Sequence, residues 1–321
     1  MMFSKATFNK SMFCKARTFS RSSWLVLCAA MTAVPALAQV DFSGEWAPRF
    51  YEDAPERGPG PELGDYLGIP INDAARMRGD AWTASLITLP EWQCRPHPAD
   101  YIWRGPSNLR ISKEVDPVTR QVTAFHAEWL RSIDRPIYLD GRPHPPEYAA
   151  HTWAGFSTAK WEGDILNVTV THLKEGFVRR NGLARSEKAK LTEHWIRHGD
   201  WLTVVTYVDD PVYLSEPFVR STDYELDVHQ QIPPYPCEVV REVERPKGAV
   251  PHLLPGSNEM VKEFGVRYGV PYEATRGGAA TMYPEYRKKL ERATARKAPA
   301  PATGAIPAAA GCAGGAVCST D

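Results

Sequence analysis

Histidines and carboxylates are the side chains here best suited to chemistry. His126 and Glu128 stand two apart in a stretch that reads as a β-strand. They would share one face, with about 6.5–7 Å between their Cα atoms. On an inward face they could meet His172, or His194 from a neighbouring strand. The four would then supply a general base and its orienting partners, or a metal cluster. Such a site suits a hydratase, isomerase or lyase. The alternative turns Phe125, Ala127 and Trp129 inward and leaves His126 and Glu128 in solvent. His194 and His198 are four apart, the spacing that chelates zinc on a helix. On a strand they lie roughly 13 Å apart, too far for one ion. No metal and no other cofactor is expected.

The second group is the loop Asp140-Gly141-Arg142-Pro143-His144-Pro145-Pro146-Glu147-Tyr148. Proline fixes its backbone, so Arg142, His144 and Glu147 are held at low entropic cost. The loop would gate a ligand at a barrel mouth, or Arg142 would lock it to the rim by bridging carboxylates. A third group is the stripe Trp153, Gly155, Ser157 and Ala159. Three of the four are small, so something must fill the space over them. That is a tryptophan from elsewhere or a bound apolar molecule.

These residues need strands to position them. Candidates are Phe42–Trp46, Asn108–Lys113, Gln121–Leu130, Pro136–Leu139, Trp153–Trp161, Asp164–His172, Lys188–His198, Trp201–Val208 and Phe218–Leu226. Asp116-Pro117-Val118-Thr119 is a turn, and Glu162-Gly163 and Gly199-Asp200 are two-residue hairpin loops. With Trp161 opposite Asp164, one face carries Trp153, Gly155, Ser157, Ala159 and Trp161 against Leu166, Val168, Val170 and His172. The other carries Thr158, Lys160, Asn167, Thr169 and Thr171, with Phe156 and Ile165, so one side is dry and one wet. Pro48–Pro70 reads as loop, Asn72 caps a helix to about Ser85, and Leu86–Asp100 reads as a connector. Asn258–Tyr268 and Thr281–Ala295 read as helices.

The chain opens with Lys5, Lys10, Lys15, Arg17 and Arg21, then an apolar run from Trp24 to Leu37 and the small-x-small Ala36-Leu37-Ala38. This is the pattern of an export signal cleaved after Ala38. The run is too short to cross a bilayer, and no later span is long enough. A periplasmic or secreted product is expected, with residues 1–38 as signal peptide, 39–297 as one barrel-like domain and 298–321 as a disordered Ala/Pro/Gly tail. Removing the five leader cations leaves 33 Lys+Arg against 38 Asp+Glu, a net of −5. With no basic stripe, nucleic acid is not an expected partner. Cys14 and Cys28 leave with the leader. Of the remainder, Cys94 and Cys237 are expected to pair, and Cys312 and Cys318 sit in the tail.

No nucleophile elbow, phosphate loop, zinc-protease helix or haem motif is present. Phe42-Ser43-Gly44-Glu45-Trp46 resembles the G-x-W start of lipocalin-like barrels, whose tryptophan plugs the floor. Leu86-Ile87-Thr88-Leu89-Pro90-Glu91-Trp92-Gln93-Cys94, Tyr138-Leu139-Asp140-Gly141-Arg142-Pro143-His144-Pro145, Trp161-Glu162-Gly163-Asp164 and Pro234-Tyr235-Pro236-Cys237-Glu238 resemble a family of exported bacterial proteins with no assigned activity. That resemblance spans Leu63 to Tyr286. It implies export and a mostly β fold, and carries no catalytic residue. The expected fold is mainly β, an antiparallel up-and-down barrel or strongly curved sheet of lipocalin-like type with a few peripheral helices. The first functional expectation is binding of a small apolar or aromatic molecule inside it. The others are the acid–base enzyme above and an envelope interaction protein docking through its C-terminal helices. Oligomeric state is not legible.

Overall fold

Alternating apolar residues and tight turns carry most of this chain into strands. The computed structural model describes residues 40–297, apart from Glu52, 58–59, 131–133, 239–242 and 250–251. The expected signal peptide and tail, with Cys14, Cys28, Cys312 and Cys318, lie outside the described residues. The strands are β1 (Gly44–Arg49), β2 (Leu109–Val115), β3 (Val122–Trp129), β4 (Arg135–Tyr138), β5 (Phe156–Glu162), β6 (Ile165–Thr171), β7 (Gly176–Arg179), β8 (Leu183–Arg185), β9 (Lys190–His198), β10 (Trp201–Asp209) and β11 (Phe218–Leu226). Nine of them close a barrel in the order β1-β11-β10-β9-β6-β5-β4-β3-β2. β7 and β8 form a separate hairpin, which the sequence reading missed. Its arginines and asparagine look like loop, yet Arg179, Asn181 and Arg185 are buried.

The wall is antiparallel except at one seam. Directions cannot alternate around a ring with an odd number of strands, so one neighbouring pair must run parallel. That pair is β4–β5, with Ile137 beside Ser157 and Tyr138 beside Thr158. The expected antiparallel barrel is found, with this one parallel seam in it. A parallel connection has to travel back along the barrel before the next strand begins. Residues 139–155, with the proline-braced loop, make that return.

The β5–β6 hairpin is displaced by one pair from the expected register. Trp161 faces Leu166, not Asp164, and Gly163-Asp164 forms the turn. Gly163 takes φ +62°, a left-handed conformation that a side chain resists. Because the displacement is even, each residue keeps its face. Ser157, Ala159, Leu166, Val168 and Val170 are buried. The strand itself starts at Phe156, three residues later than expected. Gly155 precedes it at φ +65°, and a Cβ there would meet Leu173 Cδ2 at 2.7 Å.

One end of the interior is packed by aromatics. Phe42 stacks on Trp161 at 5.8 Å and meets Phe125 and Trp195 edge-on at 5.7 and 5.6 Å. Trp46 is fully buried, donates from Nε1 to the Phe42 carbonyl, and lies under the Arg197 guanidinium at 5.2 Å.

The expected connector is instead a run of short helices, Ala84–Thr88, Pro90–Gln93 and Ala99–Arg104. Another short helix, Ala54–Arg57, interrupts the expected loop after β1. The helix Asp73–Asp80 is capped by Asn72, whose side chain accepts from Ala75 N. Asp80 then grips Arg276 with both oxygens, at 2.7 and 2.5 Å, tying the C-terminal helices to the body. Cys94 and Cys237 form a disulfide across 143 residues. Disulfides of this kind fit an oxidising, extracellular setting. Among the described residues no helix is long and apolar enough to cross a membrane.

Candidate functional site

The barrel interior holds a buried polar centre. On β9 the alternation Leu191, Glu193, Trp195 points inward, and all three are buried. Glu193 lies between Val168 on β6 and Thr206 on β10. Arg135 enters from the start of β4, three strands away around the wall. Its Nη1 and Nη2 donate to the two Glu193 oxygens at 3.0 Å each, and its Nε donates to Ser157 Oγ at 3.1 Å. Trp103 Nε1 donates to Glu193 Oε1 at 2.9 Å and Trp195 Nε1 to Oε2 at 3.0 Å. The carboxylate thus accepts four hydrogen bonds, two from a fork that matches its shape.

Trp103 arrives on the helix Ala99–Arg104, all six residues of which are buried. That segment is fixed from every side. Ala99 N donates to the Trp153 carbonyl at 2.9 Å. Tyr224 donates from its hydroxyl to the Ile102 carbonyl at 3.3 Å, and Arg220 Nη2 donates to the Asp100 carbonyl at 2.9 Å. The Asp100 carboxylate is taken by Arg185, at 3.1 and 3.4 Å. Arg104 donates to the Val178 carbonyl. Trp103 lies 5.1 Å from Trp195 and 6.2 Å from Tyr224, both edge-on. An aromatic column therefore runs from Phe42 through Trp195 and Trp103 to Tyr224, past the Arg135–Glu193 pair.

The four residues considered for acid–base chemistry are not brought together. His126 lies on the outer face of β3, its Nδ1 2.8 Å from Asp134 Oδ2, while Phe125, Ala127 and Trp129 are buried. Glu128 is outside too, 3.8 Å from Arg110. His194 faces out against Asn167 and the Tyr207 ring. His172 was expected on the dry face. At φ +57° its backbone leaves the strand alternation, and its Nε2 lies 3.0 Å from the Pro146 carbonyl outside the wall.

The small-residue stripe divides. Ser157 and Ala159 face inward, and the Arg135 guanidinium covers Ser157. Trp153 stands before the strand, half-buried, with Lys174 at 5.2 Å and Arg95 at 5.7 Å over its ring. Gly155 is small because of its backbone and the adjacent Leu173.

The braced loop forms a strap on the outer face of β5 and β6. Arg142 folds back onto Asp140, with Nε 2.9 Å from each oxygen, and lies 3.6 Å over the Tyr138 ring. That pairing holds the Asp140 carboxyl below its usual range. His144 is wedged between two threonines, Nε2 to Thr158 Oγ1 at 2.8 Å and Nδ1 to Thr171 Oγ1 at 2.7 Å. His172 Nδ1 reaches the same Thr171 hydroxyl at 2.7 Å. A hydroxyl has one proton to give, so at least one of the two imidazoles donates to it. Burial, then the charges of His172 and Lys190, hold the His144 pKa below that of a free imidazole. Glu147 is exposed.

Sequence reasoning missed Glu193, Arg135 and Trp103 as partners. The signal for Glu193 was its alternation with Leu191 and Trp195. Arg135 stood one residue before the expected start of its strand. Trp103 stands between the expected connector and the strand from Asn108, beside a strand where an interior tryptophan is expected, but no pattern there names Glu193 as its partner. Among the described residues no group of three or more His, Cys, Asp or Glu side chains could hold a metal ion. Compared with known proteins, the chain matches no family model, no curated protein and no solved structure.

Proposed function

We propose that this chain is exported and acts as a periplasmic or secreted β-barrel that holds a small aromatic or apolar molecule in its interior. The aromatic column ending at Tyr224, with the Arg135–Glu193 pair beside it, carries the reading. A barrel that needed only stability would do as well with apolar residues at its centre, because replacing a buried ion pair by well-packed hydrophobic groups is often neutral or stabilising. Polar groups retained among aromatic rings are a usual lining of a ligand site. The basic leader, the apolar run and the Cys94–Cys237 disulfide support export. Native mass spectrometry of protein purified from the periplasm tests the reading. The expected result is a non-covalent mass that departs on denaturation. A bare chain mass under gentle conditions, from cells expressing the protein at natural level, would refute it.

One observation favours a second reading, an envelope interaction protein. Leu254, in the loop before the C-terminal helices, and Val266 and Met282 on them are 68%, 82% and 72% exposed. Apolar side chains left in water suit a docking surface. Replacing the three together by serine would then abolish capture of a partner and leave any small-molecule mass in place.

A further inference from the structure

The polar network of the barrel is complete at its centre and leaves guanidinium N–H groups unsatisfied around Tyr224. Glu193 is saturated by Arg135 and two indoles, and Asp100 is occupied by Arg185. Beyond them, around Tyr224, two more guanidinium groups enter. Arg220, Thr222 and Tyr224 alternate along β11, and Thr222 and Tyr224 are buried. Arg220 spends Nη2 on a main-chain carbonyl, and its Nε is buried with no hydrogen-bond partner. Among the described residues no carboxylate pairs with it.

Arg57 comes from the short helix Ala54–Arg57 and is only 3% exposed. Its Nε donates to Asp53 Oδ2 at 2.6 Å, while its Nη1 is buried without a partner. The Arg57 guanidinium lies 5.1 Å over the ring of Phe50, two residues beyond Pro48, which pairs with Tyr224 across β1 and β11. The charges of Arg57 and Arg220 both act on the Tyr224 hydroxyl. Arg104 stands near Arg220, and burial together with that like charge disfavours the Arg220 cation. A guanidinium nevertheless keeps its proton in a protein. The region therefore holds a half-buried cation without a carboxylate, and two N–H groups sealed from water with nothing to donate to. The two sealed N–H groups are costly.

An oxyanion would remove both costs at once. Carboxylate, sulfonate and phosphate oxygens match the planar fork of arginine. The Tyr224 ring, the end of the aromatic column, would lie beside the group carrying the charge. We propose that the Tyr224 end of the barrel interior is an anion subsite, in which Arg57 and Arg220 hold an oxyanion group borne by the aromatic or apolar ligand. This rests on the small-molecule reading above and adds the chemical class: an aromatic or apolar acid.

Benzoate and benzamide have nearly the same shape and differ in charge. Each is titrated into the full mature protein while the indole N–H signals of Trp103 and Trp195 are followed by nitrogen-15 NMR. The expected result is binding of benzoate at least about 10-fold tighter than benzamide, the scale of one charge-assisted hydrogen bond. Arg220→Met should erase that preference while benzamide still binds, and Arg220→Lys should restore part of it. Arg57→Met should reduce it as well. Signal dispersion shows whether each variant is folded. Equal affinities in the wild-type protein, or a benzoate preference that survives both methionine variants, would overturn the subsite and leave interior binding standing. If neither compound moves the two indole signals, interior binding and the subsite fall together.

Discussion

Two polar clusters sit on opposite sides of the same β5–β6 wall and obey different physics. Inside, Arg135, Glu193, Trp103, Trp195 and Ser157 are out of water, and every Glu193 oxygen is bonded twice. Outside, Arg142, Asp140, His144, Thr158, Thr171 and His172 form the strap, with the ion pair largely in solvent. Both contain an arginine–carboxylate pair. Only the inner one has lost its hydration, so only there does each remaining partner depend strongly on the other. The strap's weight lies in its histidine and threonines, which hold the crossover that the parallel seam requires.

The largest effect should follow from breaking the inner pair. Glu193→Ala leaves a buried guanidinium and two indole N–H groups unsatisfied, and should cost about 3–5 kcal/mol in urea unfolding. Removing both charges at once, as Arg135→Met with Glu193→Leu, should return stability to near the wild-type value or above it. A double variant as unstable as Glu193→Ala would mean that the network is needed for folding itself.

The strap should respond less. His144→Ala removes two neutral hydrogen bonds, each worth about 0.5–1.5 kcal/mol, and should lower stability by about 1–2 kcal/mol. It should also speed proteolysis between Leu139 and Gly155. The same residue sets a pH dependence. Its folded pKa lies below the free value of 6.5, so the unfolded chain takes up the proton first as pH falls. This contribution is complete above pH 6.5 and declines below it, toward the folded pKa. Wild-type unfolding curves between pH 7.5 and 5.5 should lose more stability than those of His144→Asn, and parallel curves would remove His144 from the account. The smallest effect is expected at Arg142. Arg142→Ala should leave the urea midpoint unchanged within error, because exposed pairs contribute little.

The outer wall was far more legible than the inner centre. Strand positions followed from local alternation and turn residues such as Asp116, whose carboxylate accepts from Val118 N and Thr119 N. The Cys94–Cys237 pairing followed from which cysteines flank the body. The Phe125/Ala127/Trp129 alternation already offered the outward placement of His126 and Glu128 as one of two options. The parallel seam was not read, because nothing local to Arg135–Tyr138 reveals the direction of its neighbour. It follows only from counting strands around a closed ring. The inner network depends on contacts 58 and 90 residues apart, Arg135 with Glu193 and Trp103 with Glu193. Periodicity reports which face a residue occupies, and says nothing of what it meets across the barrel. His172 shows the other limit, since one residue at positive φ sends a side chain to the face opposite its expected one.

The most direct test of the account compares wild type with the Arg135→Met/Glu193→Leu double variant, both exported, purified from the periplasm and examined by native mass spectrometry. The prediction is a non-covalent adduct on the wild-type protein and none on the equally folded double variant. The same adduct on both, or on neither, would contradict the claim that the polar centre serves a bound molecule.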